Sequence, residues 1–257
     1  MEFISLLGRV FIRFLRASGQ LGIFTVKAIY HCFTPPFYFK KIAEQLIEIG
    51  FYSLPVVALT TFFAGAVIAL QTYTGFARFS AEGAVSMVVL IAVTRELAPV
   101  MAGLMVAGRI GAAMAAELGT MRVTEQIDAL STLSTNPFKY LISPRILAGI
   151  VMMPVLVLIG DVIGICGGYI IGVYKLDFNA SSYLVNTWNF MEPMDVISGL
   201  VKAAVFGFII TLLGCYNGYN SKGGAQGVGS ATTNAVVSAS ILILIFNYIL
   251  TEVFFNS

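Results

Sequence analysis

Long apolar runs alternate with short polar segments along this chain, and that pattern predicts an all-α integral membrane protein. The apolar runs cover residues 51–73, 84–116, 145–173 and 196–213, and a fifth ends near residue 254. An α-helix rises about 1.5 Å per residue, so about 20 apolar residues cross a hydrocarbon core of about 30 Å. The pattern therefore predicts about five transmembrane helices in a polytopic domain formed by residues 51–257.

The second apolar run is longer than a membrane is thick. As a helix, residues 84–116 would extend about 50 Å, which exceeds the hydrocarbon core. We expect this helix to project into the cytoplasm, to tilt strongly or to bend. Pro99 is the expected place for a bend, because proline interrupts the hydrogen bonds of a helix.

The segments between the runs are assigned from their polar, proline and glycine residues. Residues 174–195 are interpreted as a polar loop that contains the single tryptophan, Trp188. Residues 217–230 are rich in glycine and are interpreted as a flexible cytoplasmic connector. Before the third run, Asn136-Pro137 should stop one helix, and Ser143-Pro144 should start the next with Ser143 as its N-cap.

The first 50 residues are interpreted as a separate amphipathic segment, whose first helix ends at Pro35-Pro36. Arg9, Arg13 and Arg16 fall on one helical face, and apolar residues fill the rest. The same arginines interrupt the apolar run that a signal peptide requires. Residues 1–50 are therefore expected to form helices in the cytoplasmic membrane interface. Packing of this helix on the transmembrane bundle is an alternative, and both could hold.

The distribution of Lys and Arg predicts the orientation of the spans. One set of polar segments contains most of these residues: Arg9, Arg13, Arg16, Lys27, Lys40, Lys41, Arg122, Lys139, Arg145 and Lys222. The opposite set contains little beyond Arg78 and Lys175. The N-terminus is therefore expected in the cytoplasm and the C-terminus outside.

Composition narrows the possible functions. The chain is 58% hydrophobic and 11% charged, whereas soluble domains contain roughly 25% charged residues. The net charge of +2 is too small to indicate nucleic-acid binding. The cysteines lack metal-ligand spacing, and His31 is the only histidine, so we expect no metal and no cofactor. A phosphate-binding loop and a Ser/His/Asp set are both absent from the sequence, which argues against an enzyme.

Small residues recur at four-residue spacing in the spans, and such faces let helix backbones approach closely. They are Gly103, Ala107, Gly111 and Ala115; Gly160, Gly164, Gly168 and Gly172; Gly199, Ala203, Gly207 and Thr211; and Ala231, Ala235 and Ala239. Packing within one subunit accounts for this pattern. A dimer interface or a sliding surface is the alternative.

Four ionisable residues lie within the apolar runs, where a charge is costly and usually functional. Arg95 and Glu96 lie in the second run, Asp161 in the third and Lys202 in the fourth. Arg95 and Lys202 could bind a lipid phosphate, with Glu96 holding one of them in place. An internal ion-pair network and a proton relay are the alternatives.

A charged, amphipathic segment, residues 117–135, separates the second and third runs. The predicted apolar face of its short helix consists of Val123, Ile127 and Leu130. The predicted opposite face consists of Arg122, Glu125, Gln126 and Ala129. Glu125 and Asp128 lie early in the helix, where they suit the positive end of its dipole. A solvated loop helix and a coupling helix that docks on a separate ATPase subunit both fit this pattern.

A succession of motifs runs through the second span and the segment that follows it. The motifs are Thr94-Arg95-Glu96-Leu97-Ala98-Pro99-Val100, Ala107-Gly108-Arg109-Ile110-Gly111-Ala112-Ala113, Glu117-Leu118-Gly119-Thr120-Met121 and Glu125-Gln126-Ile127-Asp128-Ala129-Leu130. This succession resembles the MlaE/YrbE family of permeases, the membrane subunits of ABC transporters associated with MCE-domain proteins. The resemblance covers nearly the whole chain.

The resemblance implies a homodimeric permease in the bacterial inner membrane that moves phospholipid between the inner and outer membranes. It also implies a separate ABC ATPase subunit that alone uses ATP, a periplasmic MCE-domain protein and often a STAS-domain protein. The residues it implicates in lipid binding are Arg95, Glu96 and Lys202. It implicates the segment 125–129 in ATPase coupling. We expect the coupling residues to be Glu117, Arg122, Glu125, Gln126 and Asp128.

We therefore expect a non-catalytic permease subunit of a phospholipid ABC transporter, with amphipathic residues 1–50 preceding the permease domain. A stand-alone secondary transporter or channel is the competing hypothesis. It would use Arg95, Glu96, Asp161 and Lys202 as an ion pathway. A structural membrane scaffold is a third possibility.

Overall fold

The computed structural model describes residues 2–76 and 84–255, and it confirms an all-helical membrane architecture. Five helical stretches have the length and hydropathy of membrane spans: Phe39–Phe76, Ala84–Val123, Phe138–Tyr174, Pro193–Tyr219 and Gly224–Phe255. The secondary structure of the described residues is helical, without strands. Arg78 lies outside the described residues, as do the side chains of Arg9 and Arg13.

The first helix of the N-terminal segment 1–50 is α1 (Glu2–Phe33), which ends just before Pro35-Pro36 as expected. The second half of α1 packs on the bundle, because Phe24, Ala28 and Cys32 are buried against residues of the second, third and fourth spans. Near its end, His31 lies 2.9 Å from Nδ2 of Asn136. Burial, followed by the charges of Lys139 and Lys27, lowers the pKa of His31 below its ordinary value.

The first span, α3 (Leu54–Phe76), begins three residues after the predicted residue 51. The amphipathic helix α2 (Phe39–Gly50) leads into it, so the helical stretch that contains the span begins at Phe39. Backbone hydrogen bonds from Ser53 and Leu54 to the preceding turn continue the chain through the junction. α2 lies close to the third span, since a Cβ atom at Gly50 would lie 2.0 Å from Cε of Met152.

The second span is a continuous helical stretch that is interrupted by two π-helical segments. It consists of α4 (Ala84–Ala92), Val93–Leu97, α5 (Ala98–Val106), Ala107–Gly111 and α6 (Ala112–Val123). Pro99 lies in the first turn of α5, directly after the first π-helical segment. Proline lacks an N–H and its ring clashes with the carbonyl four residues before it, so the widened turn precedes Pro99.

The predicted start of the third span at Ser143 is wrong. After the short helix α7 (Gln126–Thr132), helical structure begins at the π-helical segment Phe138–Ile142 and continues as α8 (Ser143–Tyr174). The side chain of Asn136 accepts a hydrogen bond from the Phe138 N–H at 2.9 Å. Asn136-Pro137 therefore starts a helix, because it provides the same cap-and-proline arrangement that was assigned to Ser143-Pro144.

Both predicted loops are largely helical. The segment 174–195 contains α9 (Ala180–Asn189), which is capped by Asn179, and α10 (Pro193–Tyr219) begins before that loop was expected to end. The glycine-rich connector shortens to residues 220–223, because α11 (Gly224–Phe255) starts within the glycines. Glycine costs about 1 kcal/mol in a helix. Packing compensates for that cost here, because Val228 of α11 lies against Gly119 of α6.

The small residues of the spans let the helices approach closely within this chain. A Cβ atom at Gly207 would lie 2.3 Å from the carbonyl oxygen of Gly149, and one at Gly65 would lie 1.9 Å from that of Gly164. On α10, a Cβ atom at Gly199 would lie 2.6 Å from the carbonyl oxygen of Thr94. α8 and α10 thereby occupy the centre of the bundle, and α10 lies against the first π-helical segment.

Candidate functional site

Lys202 and Glu96 form the centre of a polar cluster between the second, fourth and fifth spans. The Lys202 side chain is 0% exposed, and its Nζ lies 2.8 Å from Oε1 of Glu96. The same Nζ donates to the carbonyl oxygen of Arg95 at 2.8 Å and to Oγ1 of Thr251 at 2.7 Å. An ammonium group has three protons, so these three acceptors satisfy the buried cation.

Glu96 forms the accessible edge of this cluster. Its Oε2 accepts a hydrogen bond from Nδ2 of Asn247 at 2.7 Å, and its Oε1 accepts one from the Thr251 hydroxyl at 2.9 Å. The Glu96 side chain nevertheless remains 39% exposed. The sequence interpretation missed Asn247 and Thr251, because uncharged polar residues in an apolar run give a weak signal. Their spacing of four residues, which places them on one helical face, was the available indication.

A second ion pair joins Arg95 to Asp195 at the start of α10. Nη2 of Arg95 lies 2.6 Å from Oδ1 of Asp195, and Nε donates to the same oxygen at 2.7 Å. Asp195 is buried, whereas a quarter of the Arg95 side chain is exposed. The guanidinium carbon also lies 4.2 Å from the centre of the Phe255 ring, which is a favourable distance for a cation–π contact.

Asp195 was not predicted as a site residue, because it was assigned to the end of the polar loop. Its second oxygen accepts a hydrogen bond from the Glu192 N–H at 3.2 Å, so the side chain also caps α10. The spacing Glu192-Pro193-Met194-Asp195 resembles a capping box with proline in the first turn. That spacing could have located both the helix start and the partner of Arg95.

The first π-helical segment places the consecutive residues Arg95 and Glu96 against the same neighbouring helix. Arg95 contacts the start of α10, and Glu96 contacts Lys202 on the same helix and two residues of α11. Single π-helical turns in proteins occur frequently at functional sites. The whole cluster contains two cations, Arg95 and Lys202, and two carboxylates, Glu96 and Asp195. Its exposed charged groups belong to Arg95 and Glu96.

An apolar groove is lined in part by Leu97 of the same π-helical segment. It has a volume of about 510 Å³ and is lined by residues of α3 and of the second span, including Leu59, Phe63, Val67, Leu97 and Met101. Leu97 directly follows Glu96 in the chain. A polar cluster and an apolar groove thus share one short segment, which is the combination that an amphipathic ligand requires.

Asp161 does not join the polar cluster. Its side chain is buried on α8, and neither carboxylate oxygen has a hydrogen-bond partner in the described part of the chain. The structure therefore brings Arg95, Glu96 and Lys202 together, as the sequence suggested, and leaves Asp161 apart from them.

The segment 117–135 contains two helices rather than the single predicted one. α6 ends at Val123, and the chain turns at Glu125, which has a φ of 60°. The predicted apolar face is therefore divided, because the exposed Val123 belongs to α6. Ile127, which is 0% exposed, and the partly buried Leu130 pack against the cluster that contains Leu118.

The five predicted coupling residues differ in their surroundings. Arg122 at the end of α6 lies 2.6 Å from Asp128 of α7, and this pair spans the turn between the two helices. The side chains of Glu125 and Gln126 are exposed at that turn. Glu117 lies about two turns earlier, and its Oε2 is 2.7 Å from Nη2 of Arg145 at the start of α8.

The Glu117–Arg145 pair lines a polar cavity of about 680 Å³ between α2, α6 and the start of the third span. Arg145 is 4% exposed, whereas Glu117 is 57% exposed. Nη1 of Arg145 also donates to the carbonyl oxygen of Leu141 at 2.8 Å. The sequence interpretation used Arg145 only as an indicator of orientation, so its contact with Glu117 is a finding of the structure.

Comparison with known proteins assigns the fold and these motifs to one family. A family model described as Permease MlaE matches residues 42–253, which include both the polar cluster and the segment 117–135. The chain belongs to the MlaE permease family.

Relatives of this MlaE-family chain align with nearly its full length. A probable ABC transporter permease protein of Rickettsia bellii is 63% identical over 97% of this chain and 96% of the relative. The intermembrane phospholipid transport system permease protein MlaE of Haemophilus influenzae is 34% identical over 100% of this chain and 99% of the relative. The chloroplastic protein trigalactosyldiacylglycerol 1 of Arabidopsis thaliana is 36% identical over 93% of this chain and 66% of the relative.

Membership of the MlaE family makes this multi-pass protein a permease subunit of an ABC transporter. A permease of this kind is non-catalytic, and it requires a separate ATPase subunit. The resemblance in the sequence motifs is thereby confirmed.

Proposed function

We propose that this chain is the membrane subunit of a bacterial inner-membrane transporter that moves phospholipid between the inner and outer membranes. The polar cluster around Glu96, adjacent to an apolar groove, is the observation that carries the proposal. The name of the Haemophilus influenzae relative, an intermembrane phospholipid transport permease, supports it. ATP hydrolysis in a separate subunit drives the movement.

In this proposal Arg95 and Glu96 contact the lipid headgroup, and Lys202 contributes from behind them. Arg95 is partly exposed and already oriented by Asp195, so its guanidinium is suited to a lipid phosphate. Glu96 is exposed beside it and suits an ammonium group of the headgroup. Lys202 is fully buried behind Glu96, so in this conformation it holds the carboxylate in place.

The proposed orientation places the N-terminus in the cytoplasm and the C-terminus in the periplasm. The bias of Lys and Arg towards α1, α2 and the segment 117–135 supports this orientation. The Arg95–Asp195 pair then lies toward the periplasmic side, where a periplasmic MCE-domain protein could exchange lipid with it. A small STAS-domain protein is a further partner in the proposal.

The segment 117–135 is proposed to couple the permease to its ATPase. Glu125 and Gln126 are exposed at the turn between α6 and α7, so they are available to a docking partner. Arg122 and Asp128 support the turn through their ion pair. Glu117 acts through Arg145, which links the second span to the third. Force on α7 would therefore reach both spans.

We further propose that the permease works as a homodimer, so that two copies can enclose a lipid between them. Exposed large apolar side chains on α3, such as Leu59, Phe63 and Val67, provide a surface that either a second copy or lipid would cover. Chemical crosslinking of single-cysteine variants on this face, in membranes, would test the assembly.

The lipid site can be tested by measuring phospholipid that co-purifies with the permease in nanodiscs made from a synthetic, distinguishable lipid. Arg95→Gln and Glu96→Gln should each reduce the bound cellular phospholipid and the ATP-driven transfer of labelled lipid. Lys175→Gln is the matched control, because Lys175 is exposed and lies outside the cluster. Unchanged lipid content and transfer in both cluster variants would refute the proposed site.

A further inference from the structure

Helix α9 lies alongside the bundle instead of extending away from it. It connects α8 to α10 and packs against α4 and α8. Its Tyr183 is buried over the glycine face of α8, because a Cβ atom at Gly168 would lie 3.3 Å from Oη of Tyr183. A Cβ atom at Gly172 would lie 2.9 Å from Cε2 of the same ring.

The contact with α8 sets the depth of α9. Gly168 and Gly172 precede Tyr174, the last residue of α8, by about 3–9 Å of helix rise. α9 is therefore level with the final turns of a membrane span. The exposed charged residues Lys175 and Asp177 directly follow α8, which favours a position of this level at the boundary between hydrocarbon and headgroups.

The surface of α9 is divided into three parts. Tyr183 and Thr187 face the bundle and are buried. A second face is apolar and exposed: Leu184 at 54%, Val185 at 55% and Trp188 at 74%. The third face is polar and consists of Ser182, Asn186 and Asn189, and the exposed Ser181 lies at the N-terminal end of the apolar face. The ten residues of α9 include no charged side chain.

We propose that the apolar face of α9, formed by Leu184, Val185 and Trp188, inserts into the headgroup boundary of the adjacent lipid leaflet. An amphipathic helix in this position buries its apolar face about 5–10 Å into the boundary. Tryptophan is enriched at the membrane interface because its ring is apolar and its N–H is polar.

Exposed apolar residues also lie at the ends of the two spans that α9 connects. Tyr174 at the end of α8 is 80% exposed, and Met194 and Ile197 at the start of α10 are 46% and 50% exposed. Because these side chains lie on candidate membrane spans, lipid at the membrane surface is the occupant that fits them and the apolar face of α9 together.

Insertion of α9 has a consequence for the polar cluster. Only residues 190–194 separate α9 from Asp195, the partner of Arg95. The inserted helix therefore fixes the start of α10 at the level of the headgroups and keeps the Arg95–Asp195 pair there. The placement of α9 is independent of the proposed substrate, so it can be tested separately from phospholipid transport.

The single tryptophan of the chain makes a direct measurement possible. The purified permease is placed in nanodiscs that contain phosphatidylcholine brominated either at carbons 6 and 7 or at carbons 11 and 12 of one acyl chain. We expect the shallow bromines to reduce Trp188 fluorescence by about twofold, because the face inserts only about 5–10 Å. The deeper bromines should quench less, and aqueous acrylamide should quench weakly.

Two variants provide the controls. Trp188→Phe removes the signal and defines the background. Val162→Trp in that background places a reporter on the lipid-facing middle of α8, where Val162 is 59% exposed, and it should be quenched more by the deeper bromines. Strong acrylamide quenching of Trp188 without bromine quenching would overturn the proposal, because α9 would then lie in water. Lack of quenching by either reagent would also overturn it, since a protein surface would cover the helix.

Discussion

Glu117 and Arg145 form an ion pair of 2.7 Å that joins the end of the second span to the start of the third. The two partners differ in environment, because the guanidinium is 4% exposed and the carboxylate is 57% exposed. The pair connects the segment 117–135 directly to α8. It thereby offers a physical path from the proposed ATPase-docking segment to the centre of the bundle.

Breaking the Glu117–Arg145 pair should lower the stability of the permease and weaken its coupling to the ATPase. Glu117→Gln leaves a buried guanidinium without its counter-charge, and removal of one partner from a fully buried pair costs about 3–5 kcal/mol. Solvent at Glu117 screens the pair, so we expect Glu117→Gln to lower the free energy of unfolding by about 1–2 kcal/mol. Thermal unfolding in detergent and ATPase stimulation by the permease measure the two effects.

A double-mutant cycle with Arg145→Gln separates the pair from the effects of each residue alone. The double variant should lose less stability than the sum of the single variants, since neither charge is then left unpaired. The exposed Lys175 lies outside the cavity of this pair and is the control, so Lys175→Gln should change neither quantity measurably. Additive effects of Glu117→Gln and Arg145→Gln would contradict a functional link between them.

Lys202 and Glu96 should show strong coupling of a similar kind. Lys202→Met removes the buried cation and leaves Glu96 with only its contacts to Asn247 and Thr251. We expect a loss of about 2–3 kcal/mol, less than for a fully buried pair because Glu96 is partly exposed. Adding Glu96→Gln to Lys202→Met should restore part of this loss, which thermal unfolding can measure. A double variant less stable than Lys202→Met would contradict the pairing.

Asp195 is predicted to orient Arg95 for lipid binding. Asp195→Asn retains a side-chain oxygen for the cap of α10 but removes the charge that fixes the guanidinium. We expect ATP-driven lipid transfer to fall while the protein still inserts and folds. Circular dichroism checks the helix content, and Glu192→Gln, which changes only the other member of the capping box, is the control. Equal defects in both variants would indicate that the cap alone matters.

Much of this fold could be predicted from the sequence, since the five apolar runs are long enough to identify membrane spans without ambiguity. The ends of the spans were harder to place. Asn136-Pro137 and Ser143-Pro144 have the same helix-start signature, and only the packing of the π-helical segment Phe138–Ile142 decides between them. Glycine in residues 224–229 suggested a loop, but contacts with α6 stabilise a helix there.

The part of the candidate site that could be predicted from the sequence consists of the charged residues within the apolar runs. Arg95, Glu96 and Lys202 are conspicuous because apolar runs rarely contain such residues. The partners of these three residues could not be predicted from the sequence, because pairing depends on which helices are adjacent in the fold. Asp195 came from a segment read as a loop, and Asn247 and Thr251 are uncharged. The register that brings them together depends on the first π-helical segment, which has no clear signature in the sequence.

Asp161 is expected to lower the free energy of unfolding of the isolated chain. Its buried carboxylate lacks a hydrogen-bond partner among the described residues, and an unpaired polar group costs about 1–3 kcal/mol. Asp161→Val should therefore raise the thermal stability of the purified permease. Asp161→Asn should have a smaller effect, because the amide remains polar and unpaired. Destabilisation by both variants would show that Asp161 has a partner in the assembled transporter, such as a second copy or a bound lipid.

Charge reversal on the segment 117–135 should distinguish residues that bind the ATPase from residues that stabilise the turn between α6 and α7. Glu125→Lys changes an exposed side chain, so it should abolish co-purification of the ATPase while the permease still inserts into the membrane. Glu125 has a φ of 60°, so the matched control is Asp177→Lys, at another exposed acidic residue with a φ of 55°. Loss of the ATPase from both variants would point to a general effect of lysine in the left-handed conformation.

Asp128 requires a different test, because its carboxylate is paired with Arg122 at 2.6 Å. Asp128→Arg places two cations across the turn and should also release the ATPase. Combining it with Arg122→Asp rebuilds the ion pair with the charges exchanged. Recovery of ATPase binding in this double variant would show that the pair acts by holding the turn. Continued loss, with normal insertion, would show that the ATPase recognises the charge at residue 128 itself.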